Sequence, residues 1–271
     1  MTVAVLVNGH RPSDLAQALP VNDRGFQYGD GVFETMRFER GTVRFLDAHL
    51  QRLREGCERL GIPVPDSATL RAEIATVTAN LHSAVLKIIV SRGSGARGYR
   101  PSGEPVPTRV VAAYSAPEND TQRMLRLRWC ETRLGRNERL AGIKHLNRLE
   151  QVLAQAEWND PAIDEGLMMD TEGELVCATS SNVFIFRDGA LLTPDLRYAG
   201  VRGVMRGQVL RIAKQLGMAV REEPLWPHDL DSAEEVFLTN AVRGIRAVGS
   251  LEAKQWTRRV VSDQLRAALG V

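Results

Sequence analysis

The chain has 271 residues, 44% hydrophobic and 25% charged, with a formal net charge of +2. This is the composition of an ordinary soluble globular protein with room for one large domain or two modest ones, and it excludes a disordered or low-complexity chain. Three scattered cysteines (Cys57, Cys130, Cys177) exclude a disulfide framework and point to a reducing, cytoplasmic compartment.

The start, MTVAVLVNGHRP, has no basic segment and an apolar run of only five residues, Val3 to Val7, so it does not read as a signal peptide. No stretch approaches the roughly 18 apolar residues of a membrane span. Thr2 to Asn8 reads as a strand ending in the hairpin signal Asn8-Gly9. A strand over Gly31 to Glu39 turns at Gly41-Thr42 into Val43 to Phe45. Asp47 to Leu60 places Leu50, Leu53, Cys57 and Leu60 at helical spacing and is stopped by Gly61 and Pro63. Asp66 to Leu81 predicts a second helix, and Val85 to Ser91 and Arg109 to Tyr114 predict strands joined by a Gly- and Pro-rich loop.

Ser115 to Arg123 reads as a linker, dividing a domain of residues 1–114 from a larger one of residues 124–271. Met124 to Cys130 alternates like a half-buried strand. Asn147 to Trp158 predicts a helix whose apolar face is Leu146, Leu149, Val152, Leu153 and Ala156, opened by an Asn147/Glu150 capping box. Strands follow at Gly166 to Asp170 and Val183 to Arg187, a helix at Arg202 to Leu216 closed by Gly217, a strand at Glu235 to Asn240 and a last helix at Ser262 to Leu269. There is no internal repeat. The class is α+β in two parts.

Several apparent signals fail. Gly93-Ser94-Gly95-Ala96-Arg97-Gly98 matches a dinucleotide fingerprint, but Pro101, Pro105 and Pro107 follow where a helix is needed. A loop carrying Arg97 and Tyr99 toward a substrate suits it better. The five histidines are isolated, which argues against a metal site. Glu131 and Glu138 interrupt the arginines of residues 123–139, which fits a solvated face better than a nucleic-acid surface.

Only four of the 35 basic residues are lysines: Lys87, Lys144, Lys214 and Lys254. Amine chemistry therefore has four candidates, because arginine does not deprotonate. Lys214 and Lys254 lie in polar surroundings, and nothing reactive flanks Lys87 in its strand. Lys144 sits in an apolar stretch, Leu140 to Leu146, ahead of the helix expected at Asn147, whose dipole would favour a neutral amine.

The segment from Arg136 to Glu150, with Lys144 at its centre, resembles the cofactor-lysine segment of the class IV aminotransferases, the fold-type IV pyridoxal phosphate enzymes. The resemblance runs from Asn8-Gly9 to Val248. It implies a D-amino acid aminotransferase-like fold, a small N-terminal α/β domain and a larger C-terminal α/β domain with the cofactor between them, and a homodimer. It implies that Lys144 holds pyridoxal 5′-phosphate covalently and serves as base. Arg52 would grip the phosphate, joined by backbone groups of Gly203, Val204 and Met205 and by Asn240 and Ala241. Met205 and Ala241 stand where the family often has hydroxyl residues. Asn182 matches the asparagine after the cofactor strand. Arg97, Tyr99 and Phe33 would face the substrate.

Within the family the resemblance is to the carbon–oxygen lyases rather than the transaminases. Thr35, in Gly29 to Arg37, matches a lyase threonine that would assist proton transfer to the leaving group. Cys177 falls where the family usually has a glutamate facing the cofactor ring nitrogen. The activity implied is elimination of pyruvate from 4-amino-4-deoxychorismate to leave 4-aminobenzoate, a folate precursor. The alternative is amino transfer on D-amino or branched-chain amino acids. A non-catalytic cofactor-binding protein is a more distant reading, disfavoured by Lys144, Arg52 and Arg97 occurring together.

Overall fold

The computed structural model describes residues 2–101, 103–118 and 120–271. The chain divides into two compact units. The first runs to Glu118 and regains Ile143–Asn147; the second holds residues 119–142 and Arg148–Val271. Lys144 thus packs with the first unit, although its sequence position lies beyond the linker.

The first unit is a five-stranded antiparallel sheet in the order β1-β5-β4-β2-β3, made of β1 (Thr2–Val7), β2 (Gly31–Glu39), β3 (Thr42–Val43), β4 (Ser83–Ser91) and β5 (Thr108–Tyr114). Helices α1 (Arg24–Tyr28), α2 (Leu46–Leu60) and α3 (Ser67–Thr78) complete it. Along β2, Val32, Glu34, Met36 and Phe38 are buried while Phe33, Thr35 and Arg37 are half-buried, the two-residue period of a strand with one core face. α2 buries His49, Leu50, Leu53 and Cys57 and ends at Gly61, which takes the left-handed conformation (φ 63°) and donates its N–H to Cys57 O and Glu58 O. Asp66 caps α3 by accepting from Thr69 N at 2.8 Å. Met36, Leu53, Leu70, Leu86 and Ile88 fill the core beneath.

The second unit is a larger mixed sheet ordered β11-β10-β9-β12-β13-β6-β7-β8, with β14 beside β13. Its strands are β6 (Leu125–Trp129), β7 (Glu165–Met169), β8 (Leu175–Ala178), β9 (Asn182–Arg187), β10 (Ala190–Thr193), β11 (Ala219–Glu222), β12 (Glu235–Asn240), β13 (Gly244–Leu251) and β14 (Lys254–Gln255). Its helices are α4 (Leu149–Gln155), α5 (Val204–Gln215) and α6 (Val260–Leu269). One core lies around Leu127, Leu167, Ile185, Val236 and Leu238. Another lies under α5 and α6, around Phe184 and Phe237, whose rings stack at 5.1 Å.

α4 differs from expectation. It has seven residues, begins at Leu149, and its N-cap, Arg148, makes no side-chain cap bond. The polar groups expected to cap it are engaged elsewhere: Glu150 accepts from Gly135 N at 2.8 Å, and Asn147 donates to Gly29 O at 3.1 Å. The apolar face is turned outward, with Leu149, Val152 and Leu153 exposed by 75%, 59% and 59%, while Ala154 is the buried residue.

Candidate functional site

Lys144 lies in no helix and its setting is β-like. Phe33 N donates to Lys144 O and Leu146 N donates to Gly31 O, each at 2.9 Å, and His145 bridges Val32. The segment therefore lines the start of β2, and its backbone bonds fix the root of the lysine side chain. Lys144 Nζ stands 4.1 Å from the centroid of the Phe33 ring. The amine is thus set against an aromatic face, where the sequence had suggested a helix end.

Lys87 joins this group. Its Nζ is 5.1 Å from the same Phe33 ring, and its register partner across the sheet is Thr35. Cross-strand partners share a face, so Phe33, Thr35 and Lys87 form one half-buried patch with Lys144 beside it. Sequence reasoning passed over Lys87. A signal was present, since Leu86, Ile88 and Val90 mark the core face of β4 and leave Lys87 on the opposite one.

Arg52 approaches from the other side of β2. Its Nε and Nη2 donate to Glu34 Oε1 and Oε2 at 2.7 and 2.6 Å, and His49 Nδ1 lies 2.6 Å from Glu34 Oε2. Glu34 is 1% exposed. Burial alone would raise its carboxyl, but the Arg52 charge and the hydrogen bonds from His49 and Arg52 outweigh this and hold it at about 2. The bidentate grip sets the plane of the guanidinium. Glu34 was also missed from sequence, although a carboxylate between Val32 and Met36 on a core-facing strand must be paired.

Arg97 and Tyr99 are both exposed on the loop after β4. Tyr99 packs edge-on against Tyr28, with ring centroids 5.6 Å apart.

In the second unit, the start of β9, the end of β12 and the start of α5 converge. Asn182 pairs with Thr239 across the sheet, and its side chain donates to Val201 O at 2.9 Å. A Cβ on Gly203 would lie 2.1 Å from Asn182 Oδ1, so only glycine fits there. Gly203 is the N-cap of α5 and offers no side-chain cap, which leaves the first-turn N–H groups of the helix without one. The side chains of Val204 and Met205 are buried. Asn240 is committed to a turn, accepting from Val242 N and Arg243 N at 3.1 and 2.8 Å and donating to Ser181 Oγ at 3.1 Å. Ala241 sits in the same turn. The neighbouring Thr239 Oγ1 is buried with no hydrogen-bond partner among the described residues.

Cys177 lies on β8 opposite Met168, among Cys130, Leu134 and Val176. Burial pushes its thiol up to about 12 even with the charge of Arg148 opposing, so it is neutral. No group of three or more His, Cys, Asp or Glu able to hold a metal occurs among the described residues.

The profile of the amino-transferase class IV family matches residues 31–251. An aminodeoxychorismate lyase of Vibrio harveyi is 36% identical, over 88% of this chain and 89% of the relative. A D-alanine aminotransferase of Bacillus licheniformis is 26% identical, over 92% and 89%. The crystal structure of 4-amino-4-deoxychorismate lyase from Pseudomonas aeruginosa superposes with a TM-score of 0.92 at 43% identity, covering 98% of this chain and 97% of that one. The chain belongs to the amino-transferase class IV family.

Proposed function

We propose that the chain is a pyridoxal 5′-phosphate-dependent lyase that converts 4-amino-4-deoxychorismate to 4-aminobenzoate and pyruvate, a step toward folate. The observation that carries this reading is the Lys144 amine against Phe33, beside a Thr35–Lys87 pair, in a chain whose relatives at 36% and 43% identity bear that activity in their names.

The residues present suit the cofactor. The start of α5, which has no side-chain cap, offers backbone N–H groups that suit a phosphate, and the buried Thr239 hydroxyl, without a partner among the described residues, belongs to the residue paired with Asn182 in the same unit. In the first unit, Lys144 supplies the amine for an imine and Arg52 a cation oriented by Glu34. In the second, Gly203, Val204, Met205 and Ala241 would contribute backbone N–H groups, Asn182 would hold the Val201 turn in place, and Cys177 would meet the ring nitrogen as a neutral thiol. Bound there, pyridoxal phosphate supplies an electron sink for the carbon that bears the substrate amine.

The protein's own groups perform the rest. The Lys144 amine removes the ring proton at the amine-bearing carbon. The electron pair released moves into the ring and expels the enolpyruvyl oxygen; Thr35 passes a proton to that oxygen, and the enol becomes pyruvate. Aromatisation of the product drives the step. The cations of Arg97 and Lys87 and the hydroxyl of Tyr99 orient the two substrate carboxylates, and Phe33 shields the amine from water. A neutral Cys177 places no negative charge near the ring, which favours elimination over the longer-lived carbanion that amino transfer requires.

We further read the protein as a cytoplasmic homodimer. The outward Leu149, Val152 and Leu153 face of α4 supports a second copy. Three buried free cysteines support a reducing compartment. Among the described residues no helix is long and apolar enough to cross a membrane.

Product analysis with 4-amino-4-deoxychorismate tests the activity. The expected result is equal amounts of 4-aminobenzoate and pyruvate, both lost in Lys144→Ala together with the visible absorbance of the lysine-bound cofactor. A yellow wild-type protein that forms no 4-aminobenzoate would refute the lyase reading and favour amino transfer.

A further inference from the structure

The loop that carries Arg97 and Tyr99 has no regular structure from Gly95 to Arg100, and five of those six residues are exposed. Such a segment does not hold two side chains in place by its own packing. Its order comes from beneath. Arg24, only 5% exposed, donates from Nη1 to Gly98 O and from Nη2 to Tyr99 O, both at 2.9 Å. Its Nε donates to Asp30 Oδ2 at 2.9 Å, and its guanidinium lies 4.8 Å over the Tyr28 ring. Tyr28 Oη accepts from Gly98 N at 3.2 Å.

Asp30 is in turn shared with Arg92, whose Nε and Nη2 reach it at 2.8 and 3.1 Å and whose guanidinium also donates to Leu60 O and Gly61 O at the end of α2. The chain is thus continuous, from the end of α2 through Arg92, Asp30 and Arg24 to the backbone under Tyr99. At the near side of the loop a Cβ on Gly95 would come within 2.9 Å of Arg24 Cδ, so the backbone passes directly over the arginine stem.

We propose that Arg24 is a positioning residue that latches the substrate-facing loop, with Asp30 and Arg92 as its anchor, so that Arg97 and Tyr99 are presented in one arrangement. This rests on the reading of Arg97 and Tyr99 as the pair that meets the substrate. Lysine at position 24 keeps the charge and a bond to Asp30, but a single ammonium does not span two carbonyls and the carboxylate in one plane.

The test uses the cofactor-loaded protein and two readouts. Digestion by an arginine-specific protease reports loop order without reference to activity: cleavage after Arg97 speeds up by about tenfold in Arg24→Lys and by less in Tyr28→Phe, which loses only the Gly98 bond. Kinetics report the consequence. KM for the aminochorismate rises about tenfold in Arg24→Lys, with a smaller change in kcat, and adding Arg24→Lys to an Arg97→Ala/Tyr99→Phe background makes it no worse, because the latch acts through the two side-chain groups already removed. Unchanged cleavage in both single variants overturns the latch, as does an additive triple variant. If the wild type does not turn over the aminochorismate, the functional reading fails while the digestion still decides the latch. If Arg24→Lys does not fold, Tyr28→Phe decides it.

Discussion

Replacing Glu34 by glutamine isolates one buried charge and permits a calculation. The substitution keeps the shape of the side chain and removes the charge that faces Arg52 and His49. Holding a carboxyl at about 2 rather than its ordinary 4.5 corresponds to roughly 3 kcal/mol in favour of the folded state at neutral pH. The value agrees with the cost of about 3–5 kcal/mol for breaking a buried ion pair by deleting one partner.

The sign follows from linkage. The folded value is depressed, so the stabilisation is complete above the unfolded value of 4.5 and is lost as pH falls toward about 2. Urea unfolding at a fixed cofactor excess should therefore show Glu34→Gln less stable than wild type by about 3 kcal/mol near pH 7 and by about 2 kcal/mol near pH 3.5. Cofactor affinity should fall with it, since Arg52 loses the partner that sets its plane. A gap below about 1 kcal/mol at neutral pH, or one that widens on acidification, refutes the reasoning.

Two other substitutions probe separate parts of the molecule. Cys177→Glu places a carboxylate where the thiol is now neutral, and amino transfer to pyruvate should rise relative to elimination; an unchanged product ratio would sink that account. Leu153→Asp puts a charge into the exposed apolar face of α4, and sedimentation velocity should show a dimer converted largely to monomer. A wild type that sediments as a monomer, or a variant that sediments as the wild type does, would remove the dimer argument.

The parts of this protein legible from sequence are those whose signals are local. α2, α3, β2 and β4 could be read because an amphipathic period and its stop or cap fall within one stretch of chain, as with Gly61 and Asp66. The Lys144 segment could be read because its residues are contiguous. β8 and β10 were missed because all four residues of each are buried, so neither strand alternates. α4 is shorter than its periodicity predicts, and the outward turn of its apolar face could not be read, because periodicity marks a face without saying what covers it. Lys87 was passed over because its partners, Thr35 and Phe33, are about fifty residues away and meet it only through the pairing of β2 with β4.

The sequence alone singled out Lys144 as the candidate amine, the family it signals and most of the local elements. Tertiary structure alone decided which carboxylate orients Arg52, which second lysine shares the Phe33 ring, and what holds the Arg97 loop. Those are pairings between distant segments, and their energies come from burial and hydrogen bonds that exist only once the sheet has closed.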